Sequence, residues 1–423
     1  MILPPALRHR RFVLLWIGLF ISVAGSQMQY WSLLWHIREL TDQPIAVSGI
    51  GLARFIPILV FALIGGLFAD RYDRRKIMII TQTTMALVAV ALGVLTLSGQ
   101  MRLGWIYLLT AVQAVAISFD LPARQSLVPN LVPREDLPSA FSMMSIAFDL
   151  GAIIGPGLSG LTIAAWGLSS VYLINAASYL AVIAALLWIG PVAQQAVRRV
   201  NANGLNGRFD LRGRIGPGLS DIREGVHFIL HQPVILGSMI LDFLATFFSS
   251  ANTLLPFITR DVLHAGVQQY GWLSAAQTIG AVSAALVISQ RTRIRKQGKL
   301  LLGAVVLFGL ATILFGLSRS FWFTLGALIL IGAADSVSTI LRNTIRQLQT
   351  PDGLRGRMVS INQIFFQGGP QLGEVESGLV AQAFSPAGAI IVGGVGCIVA
   401  AGFVARQWPQ LRAYDGVDDE INP

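Results

Sequence analysis

Long apolar stretches separated by short polar ones run through most of this chain. About 20 apolar residues span the hydrocarbon core of a bilayer, and a helix satisfies its own backbone groups there. The sequence lacks the alternating ten-residue segments of an outer-membrane barrel. We therefore predict an all-α, polytopic membrane protein of twelve spans, at about 12–37, 45–69, 77–97, 104–120, 138–166, 169–190, 233–258, 268–289, 300–317, 322–341, 358–383 and 387–406.

The basic residues between these stretches predict an orientation. On this assignment 26 of the 31 Lys and Arg residues fall on one side, Arg342 and Arg346 among them, while Arg54 lies inside a span. Positive residues collect on the cytoplasmic side. We expect a multi-pass protein of the plasma (inner) membrane with both termini cytoplasmic. The net charge of +10 then reports orientation, and we expect no nucleic-acid partner.

A polar gap at 191–232 divides the chain. We predict an N-terminal six-helix bundle over 1–190, a C-terminal six-helix bundle over 233–408 and a cytoplasmic tail over 409–423. The gap begins as a Gly-, Asn- and Arg-rich linker. Its end, at 219–231, has the mixed apolar and charged pattern of an amphipathic helix at the membrane surface.

The two predicted bundles contain an internal repeat with an offset of 218 residues. The matched positions are Arg124/Arg342, Pro133/Pro351, Ser142/Ser360, Gly151/Gly369, Gly155/Gly373, Ser159/Ser377 and Gly160/Gly378. Parallel repeats joined by a linker are a common design of transporters, with the substrate site near mid-membrane between the copies.

A charged motif follows the second predicted span, where Gly66 to Lys76 read GLFADRYDRRK. It resembles the Gly-x-x-x-Asp-Arg-x-Gly-Arg-Arg signature of the major facilitator superfamily, with Asp73 in place of the commonest Gly. Together with Pro-Ala-Arg-Gln at 122–125, it is similar to the branch that contains the enterobactin exporter and macrolide-efflux proteins. The resemblance implies twelve helices in two pseudo-symmetric bundles.

The resemblance also implies a cytoplasmic latch. In that superfamily the residue matching Asp70 engages the one matching Arg124 and the N-terminus of the eleventh span, where a carboxylate gains about 0.3–1 kcal/mol from the helix dipole. We assign the latch to six residues: Asp70, Arg71, Arg74, Arg75, Asp120 and Arg124.

The fifth span has small residues at helical spacing around a proline: Gly151, Gly155, Pro156 and Gly160. Such residues let helices approach closely, and proline bends a helix. The segment resembles the Gly-Pro motif of antiporters, which is typical of exporters, and departs from it at Ser159.

Charges inside spans are costly, and we take five of them as candidates for proton coupling or substrate binding: Arg54, Asp149, Asp242, Glu374 and Glu376. Asp149 and Asp242 lie about ten residues, or about 15 Å, from the cytoplasmic face and are candidate proton or substrate sites. We expect Arg54 to pair with Glu374 or Glu376 at an outer gate; the alternative is that it pairs within its own half or snorkels outward. Asp335 is a further charge within a span, and it falls toward the predicted cytoplasmic end, where solvation alone would account for it. Candidate cavity residues are Gln27, Tyr30, Trp31, Gln113, Asn252, Gln277, Gln363 and Gln367.

Other classes of function find little support in the sequence. It has no phosphate-binding Gly-rich loop, no catalytic constellation and a single cysteine, Cys397, so we expect no enzyme activity, cofactor or metal. The sequence favours a monomeric secondary transporter that works by alternating access and exports a drug-like compound or siderophore in exchange for protons. A lipid or lysolipid translocator on the same fold is the first alternative, and a non-transporting sensor is the second.

Overall fold

Helices succeed one another along the computed structural model, which describes residues 4–192, 226–249, 253–290, 294–351 and 354–416. All regular secondary structure in these ranges is helical. The first half contains α1 (Arg10–Leu40), α2 (Ile45–Arg71), α3 (Arg74–Leu97), α4 (Leu103–Leu127), α5 (Leu137–Trp166) and α6 (Leu168–Ile189). The second contains α7 (Pro233–Phe248), α8 (Val267–Ser289), α9 (Gln297–Leu317), α10 (Phe321–Gln349), α11 (Arg355–Ala383), α12 (Pro386–Gln407) and the short α13 (Pro409–Ala413).

The outward surfaces of these helices suit a bilayer. In the described ranges nine helices are long and apolar enough to cross a membrane, and two shorter apolar stretches run over Ile45–Phe61 and Pro233–Ser249. Large apolar side chains such as Ile80, Leu87 and Leu97 of α3 are about two-thirds exposed. Apolar surface of that extent favours contact with lipid over contact with water.

The described residues form two compact units. One comprises the residues up to 192 together with 265–275, and the other comprises the rest, so the first turns of α8 pack with the first six helices. In the first unit α1 packs on α5 and α6, and α3 packs on α4 and α6. In the second unit α7 packs on α11 and α12, and α9 packs on α10 and α12. The two units therefore use corresponding helix pairings.

Two helices extend further than hydropathy predicts, and the predicted ends at 120 and 341 were wrong. The helix α4 continues to Leu127 and α10 continues to Gln349. Arg342 and Arg346, predicted to lie in a cytoplasmic loop, are instead buried within α10. Hydropathy treats every charge as solvated, whereas a buried arginine is tolerated when carboxylates and carbonyls satisfy it.

The placement of Asp335 changes for the same reason. Because α10 spans 29 residues, Asp335 lies at its midpoint, about 21 Å from its last residue at 1.5 Å per residue. The prediction that Asp335 lies near a helix end was wrong.

The predicted linker and most of the predicted amphipathic helix lie outside the described residues, and positions 226–230 are helical. After α13, the tail packs on the second unit. The backbone N–H of Lys296 donates to the Asp415 carboxylate at 2.6 Å, and that of Gly298 donates to the Tyr414 carbonyl at 2.9 Å. The described part of the tail therefore covers the first turn of α9.

Candidate functional site

The loop between α2 and α3 connects three helices of the first unit. Asp73 caps α3 by accepting from the backbone N–H of Arg75 at 2.9 Å. The guanidinium of Arg74 donates to the carbonyl of Ser126 at the end of α4, and that of Arg75 donates to the carbonyl of Leu186 in α6. Two of the predicted latch arginines thus satisfy helix-terminal carbonyls, which have no partner within their own helices.

Two other latch residues are less defined. The side chain of Asp70 lies outside the described part of the structure, and Arg71 is an exposed residue at the end of α2. The contact of Asp70 with Arg124, implied by the resemblance, stays a prediction.

Asp120 and Arg124 form an ion pair on one helix, with the carboxylate buried and the guanidinium partly exposed. The Asp120 carboxylate, fully buried, accepts from Arg124 at 2.6 Å and from the side chains of Thr81 and Gln82 at 3.0 Å each. A carboxylate with a charged donor and two neutral ones is well satisfied. The pair therefore joins α4 to α3.

The glycines of the Gly-Pro segment sit where backbones meet. A Cβ added at Gly155 would lie 2.5 Å from Cβ of Gln27 and 2.7 Å from the Ala24 carbonyl, and one at Gly151 would lie 2.7 Å from Val23. Hence α5 and α1 approach closely along this stripe. The Ser159 hydroxyl, where the motif has Gly, bonds the Ser32 hydroxyl at 2.7 Å, so the departure adds a buried hydrogen bond between the same two helices.

Farther along α5, the first turns of α8 make the contact. A Cβ at Gly160 would lie 2.8 Å from Cα of Gly271, and Gly271 also approaches the carbonyl of Pro156. Beside it, the buried Tyr270 hydroxyl donates to the Trp31 carbonyl at 2.8 Å. Small residues thus allow α8 to reach both α5 and α1.

The exposed carboxylate of Asp149 lies on the face of α5 that turns toward α8. Asp149 precedes Pro156 by seven residues and Gly160 by eleven, which places all three on one side of the helix. The exposed apolar side chains of Leu150 and Ile154 lie more than a quarter-turn away. Asp149 is exposed, and its face is the one that α8 covers farther along. This geometry suits a side chain that lines a pathway.

A neutral polar network joins α1, α4 and α6. The Gln29 amide donates to Gln113 at 2.7 Å and accepts from Asn175 at 2.7 Å, and Gln113 donates to the Tyr179 hydroxyl at 3.1 Å. The hydroxyl of Ser26 bonds the same Tyr179 at 3.0 Å. Gln113, a predicted cavity residue, is therefore engaged in packing within the first unit.

Arg54 has an aromatic partner. Its guanidinium carbon lies 4.7 Å from the ring centre of Tyr30, the geometry of a cation–π contact. Trp31 meets the Tyr30 ring edge-on at 5.7 Å. Arg54 thus has an aromatic contact within its own half. Pairing with Glu374 or Glu376 of α11 stays a prediction.

The remaining cavity candidates occupy varied surroundings. Gln27 packs beside Gly155, and the backbone of Gln277 abuts Gly332. Glu374 is 8% exposed, and Glu376 is partly buried. Three candidates cannot be placed, because Asn252 and the side chains of Gln363 and Gln367 lie outside the described residues.

Asp242 belongs to a cluster that sequence reasoning missed. Its carboxylate lies 2.9 Å from the guanidinium groups of both Arg342 and Arg346, and all three side chains are 3% exposed or less. Arg346 also donates to the hydroxyl and carbonyl of Ser238. Asp335 lies 3.7 Å from Arg342, beyond hydrogen-bonding distance, and its side chain is 51% exposed. The repeat pointed to Arg342 as the counterpart of Arg124, but nothing in the sequence paired it with α7.

Comparison with known proteins identifies the family to which the chain belongs. The model of the transmembrane secretion effector family matches residues 3–421. The chain belongs to this family. The enterobactin exporter of Citrobacter koseri is 25% identical over 410 residues, covering 96% of this chain and 94% of that protein. Exporters of the same name from Escherichia coli O1:K1 match equally in identity and coverage.

Solved structures share the fold at low identity. The nucleoside transporter NupG superposes with a TM-score of 0.68 at 14% identity, over 96% of this chain and all of that one. A bacterial homologue of the human lysosomal transporter Spinster gives 0.69 at 13% identity, over 96% of each chain. This family member is therefore a multi-pass transporter of the major facilitator type, and the relatives and neighbours it matches are transporters.

Proposed function

We propose that this protein is a secondary active exporter that exchanges protons for a drug-like small molecule or siderophore by alternating access. The observation that carries the proposal is Asp149, an exposed carboxylate near the middle of α5 on the face turned toward α8. A carboxylate at that depth is costly unless it serves binding or proton transfer.

The glycine contacts of α5 support movement between two packed arrangements. Gly160 and Gly271 touch without intervening side chains, so few interlocked rotamers must be released when α5 and α8 separate. The latch residues would close the opposite end, with Asp70 as its central carboxylate. The name of the enterobactin exporter supports export, and it supports a siderophore as one substrate class.

The proposed topology is twelve spans in two six-helix bundles, 1–190 and 233–408, joined by a cytoplasmic linker and ending in a cytoplasmic tail. We propose a monomer in the inner membrane with both termini inside. The protein offers a simple test, because Cys397 is its one cysteine and is buried. In a Cys397→Ala background, a cysteine at Gln100 should react with an impermeant maleimide from outside intact cells. Labelling only in inside-out vesicles would contradict the orientation.

Transport itself is tested in inside-out vesicles with an imposed pH gradient, acid inside, and a panel of dyes, drugs and catecholate siderophores. We expect gradient-driven accumulation of at least one compound, and we expect Asp149→Asn to reduce it. Asp42→Asn at an exposed helix end is the matched control. Movement of fluorescent lysolipid without a gradient, with no accumulation of soluble compounds, would favour the lipid translocator.

A further inference from the structure

We propose that Asp335 is the exchange carboxylate of this transporter, where a monovalent organic cation and a proton bind in competition. The inference rests on the proposed proton-coupled export and adds to it both a residue and a substrate class. The sequence alone offered solvation as the explanation of Asp335, and it offered Asp149, Asp242 or a glutamate of the eleventh span for proton coupling.

The position of Asp335 on α10 and its exposure together point to an internal space beside it. Asp335 lies on the buried side of α10, because most neighbours three, four and seven residues away are buried, the exception being the partly buried Thr339. The buried ones include Leu328, Ile331, Ser338 and Arg342, each 4% exposed or less. Yet the side chain of Asp335 is 51% exposed. Buried neighbours around an accessible carboxylate are the pattern expected of a side chain that borders an internal space.

Asp242, in contrast, is already paired with two arginines. Two buried guanidinium groups share its carboxylate at 2.9 Å, so a substrate cation would have to displace an arginine to reach it. The triad of Asp242, Arg342 and Arg346 carries one net positive charge. In its ionised form Asp335, at 3.7 Å from Arg342, would balance that charge from the accessible side without a direct hydrogen bond.

The cluster carries the same net charge whether a proton or a monovalent cation occupies Asp335. When Asp335 is protonated, the O–H bond neutralises it and the cluster is left with one positive charge. When a cation pairs with the ionised carboxylate, the proton has left to solvent and the total charge is the same. The two occupants can therefore replace one another at equal electrostatic cost, which is what exchange requires.

The surrounding groups are consistent with a reachable site. Within the described residues, Nε of Arg342 and the hydroxyl of Ser338 are buried without a hydrogen-bond partner, and both residues lie on the same side of α10 as Asp335. Among the described residues, the groups that interact electrostatically with Asp335 are Arg342 on its own helix, Asp242 on α7 and the Cys397 thiol on α12. Arg346 is linked to them through Asp242, and Glu376 of α11 through that thiol. Asp335 is the accessible aspartate of this group.

The site belongs to the second copy of the repeat. Subtracting 218 from Asp335, Asp242 and Arg346 gives Ile117, Ala24 and Val128, whereas Arg342 gives Arg124. The two copies of the repeat therefore share the arginine, whereas the carboxylates Asp242 and Asp335 occur only in the second copy. The first copy supplies its own partner, Asp120, four residues earlier on the same helix.

The test is substrate-induced proton release from purified protein in weakly buffered detergent near neutral pH. Ethidium is a suitable probe because it is permanently charged and carries no exchangeable proton of its own in this range. We expect ethidium to release a proton from the wild type, from Asp335→Glu and from the control Asp42→Asn. We expect no release from Asp335→Asn, whose folding is checked by its thermal midpoint.

Proton release by Asp335→Asn equal to the wild type would overturn the inference. Release on adding 2,3-dihydroxybenzoate but not ethidium would overturn the cationic class. In vesicles, gradient-driven ethidium uptake that survives Asp335→Asn would sink this inference and leave the proposed function standing. Wild-type vesicles that accumulate no compound under any pH gradient would remove both.

Discussion

The buried triad around Asp242 gives a quantitative prediction for the second unit. Asp242→Asn removes the anion that two arginines share at 2.9 Å and leaves two buried guanidinium groups facing a neutral amide. Removing one partner of a buried ion pair costs about 3–5 kcal/mol, because the other charge stays desolvated and unpaired. The amide keeps one acceptor oxygen, so we expect a loss toward the lower end of that range.

The same geometry predicts partial rescue. Arg346→Gln alone removes one cation and leaves Asp242 paired with Arg342, a change worth about 1.5–3 kcal/mol for the lost charged hydrogen bonds. In the double variant Asp242→Asn/Arg346→Gln, a single buried cation remains. The combined loss should therefore fall short of the sum by about 0.5–3 kcal/mol, the usual coupling of contacting residues.

The assay is the thermal unfolding midpoint of the purified protein, followed by tryptophan fluorescence. The control is Asp42→Asn, which breaks a pair whose carboxylate is 89% exposed and which should cost at most about 1 kcal/mol. An Asp242→Asn midpoint equal to that of the control would refute the reasoning. So would a double variant whose loss equals or exceeds the sum of the single losses.

Three further predictions concern the first unit. Gly155→Val should abolish folding or transport, because its Cβ would lie 2.5 Å from the α1 side chain of Gln27. Gly157→Val should be tolerated, because Gly157 has no neighbour within 4 Å. Expression level and thermal midpoint compare the two variants, and equal behaviour counts against close α1–α5 packing. Asp70→Asn should abolish vesicle transport with an unchanged midpoint, and wild-type transport would remove the latch. Tyr30→Leu should lower the midpoint through loss of a cation–π contact worth about 0.5–2 kcal/mol, and should have no such effect in an Arg54→Gln background.

Much of the helical architecture could be predicted from sequence because lipid imposes a simple rule on each segment. The predicted first span, 12–37, lies within Arg10–Leu40, and the predicted sixth, 169–190, matches Leu168–Ile189 almost residue for residue. The rule failed at the ends of α4 and α10, where charged residues continue the helix inside the protein.

Those failures differ in how far they could have been foreseen. Asp120 and Arg124 are four residues apart, a spacing that predicts a helical ion pair. Asp242 and Arg346 are 104 residues apart, and Gln29 and Asn175 are 146 apart. Neither partnership follows from any local pattern, because only the packing of α7 against α10 and of α1 against α6 brings them together.

Exchange of substrate for protons is the central claim, and reciprocity tests it most directly. In proteoliposomes loaded with a transported substrate and given no pH gradient, outward substrate flow through a wild-type exchanger should drive protons inward and acidify the lumen. We predict lumenal acidification that scales with substrate efflux and disappears in Asp335→Asn. Substrate efflux at the wild-type rate without any change in lumenal pH would contradict it.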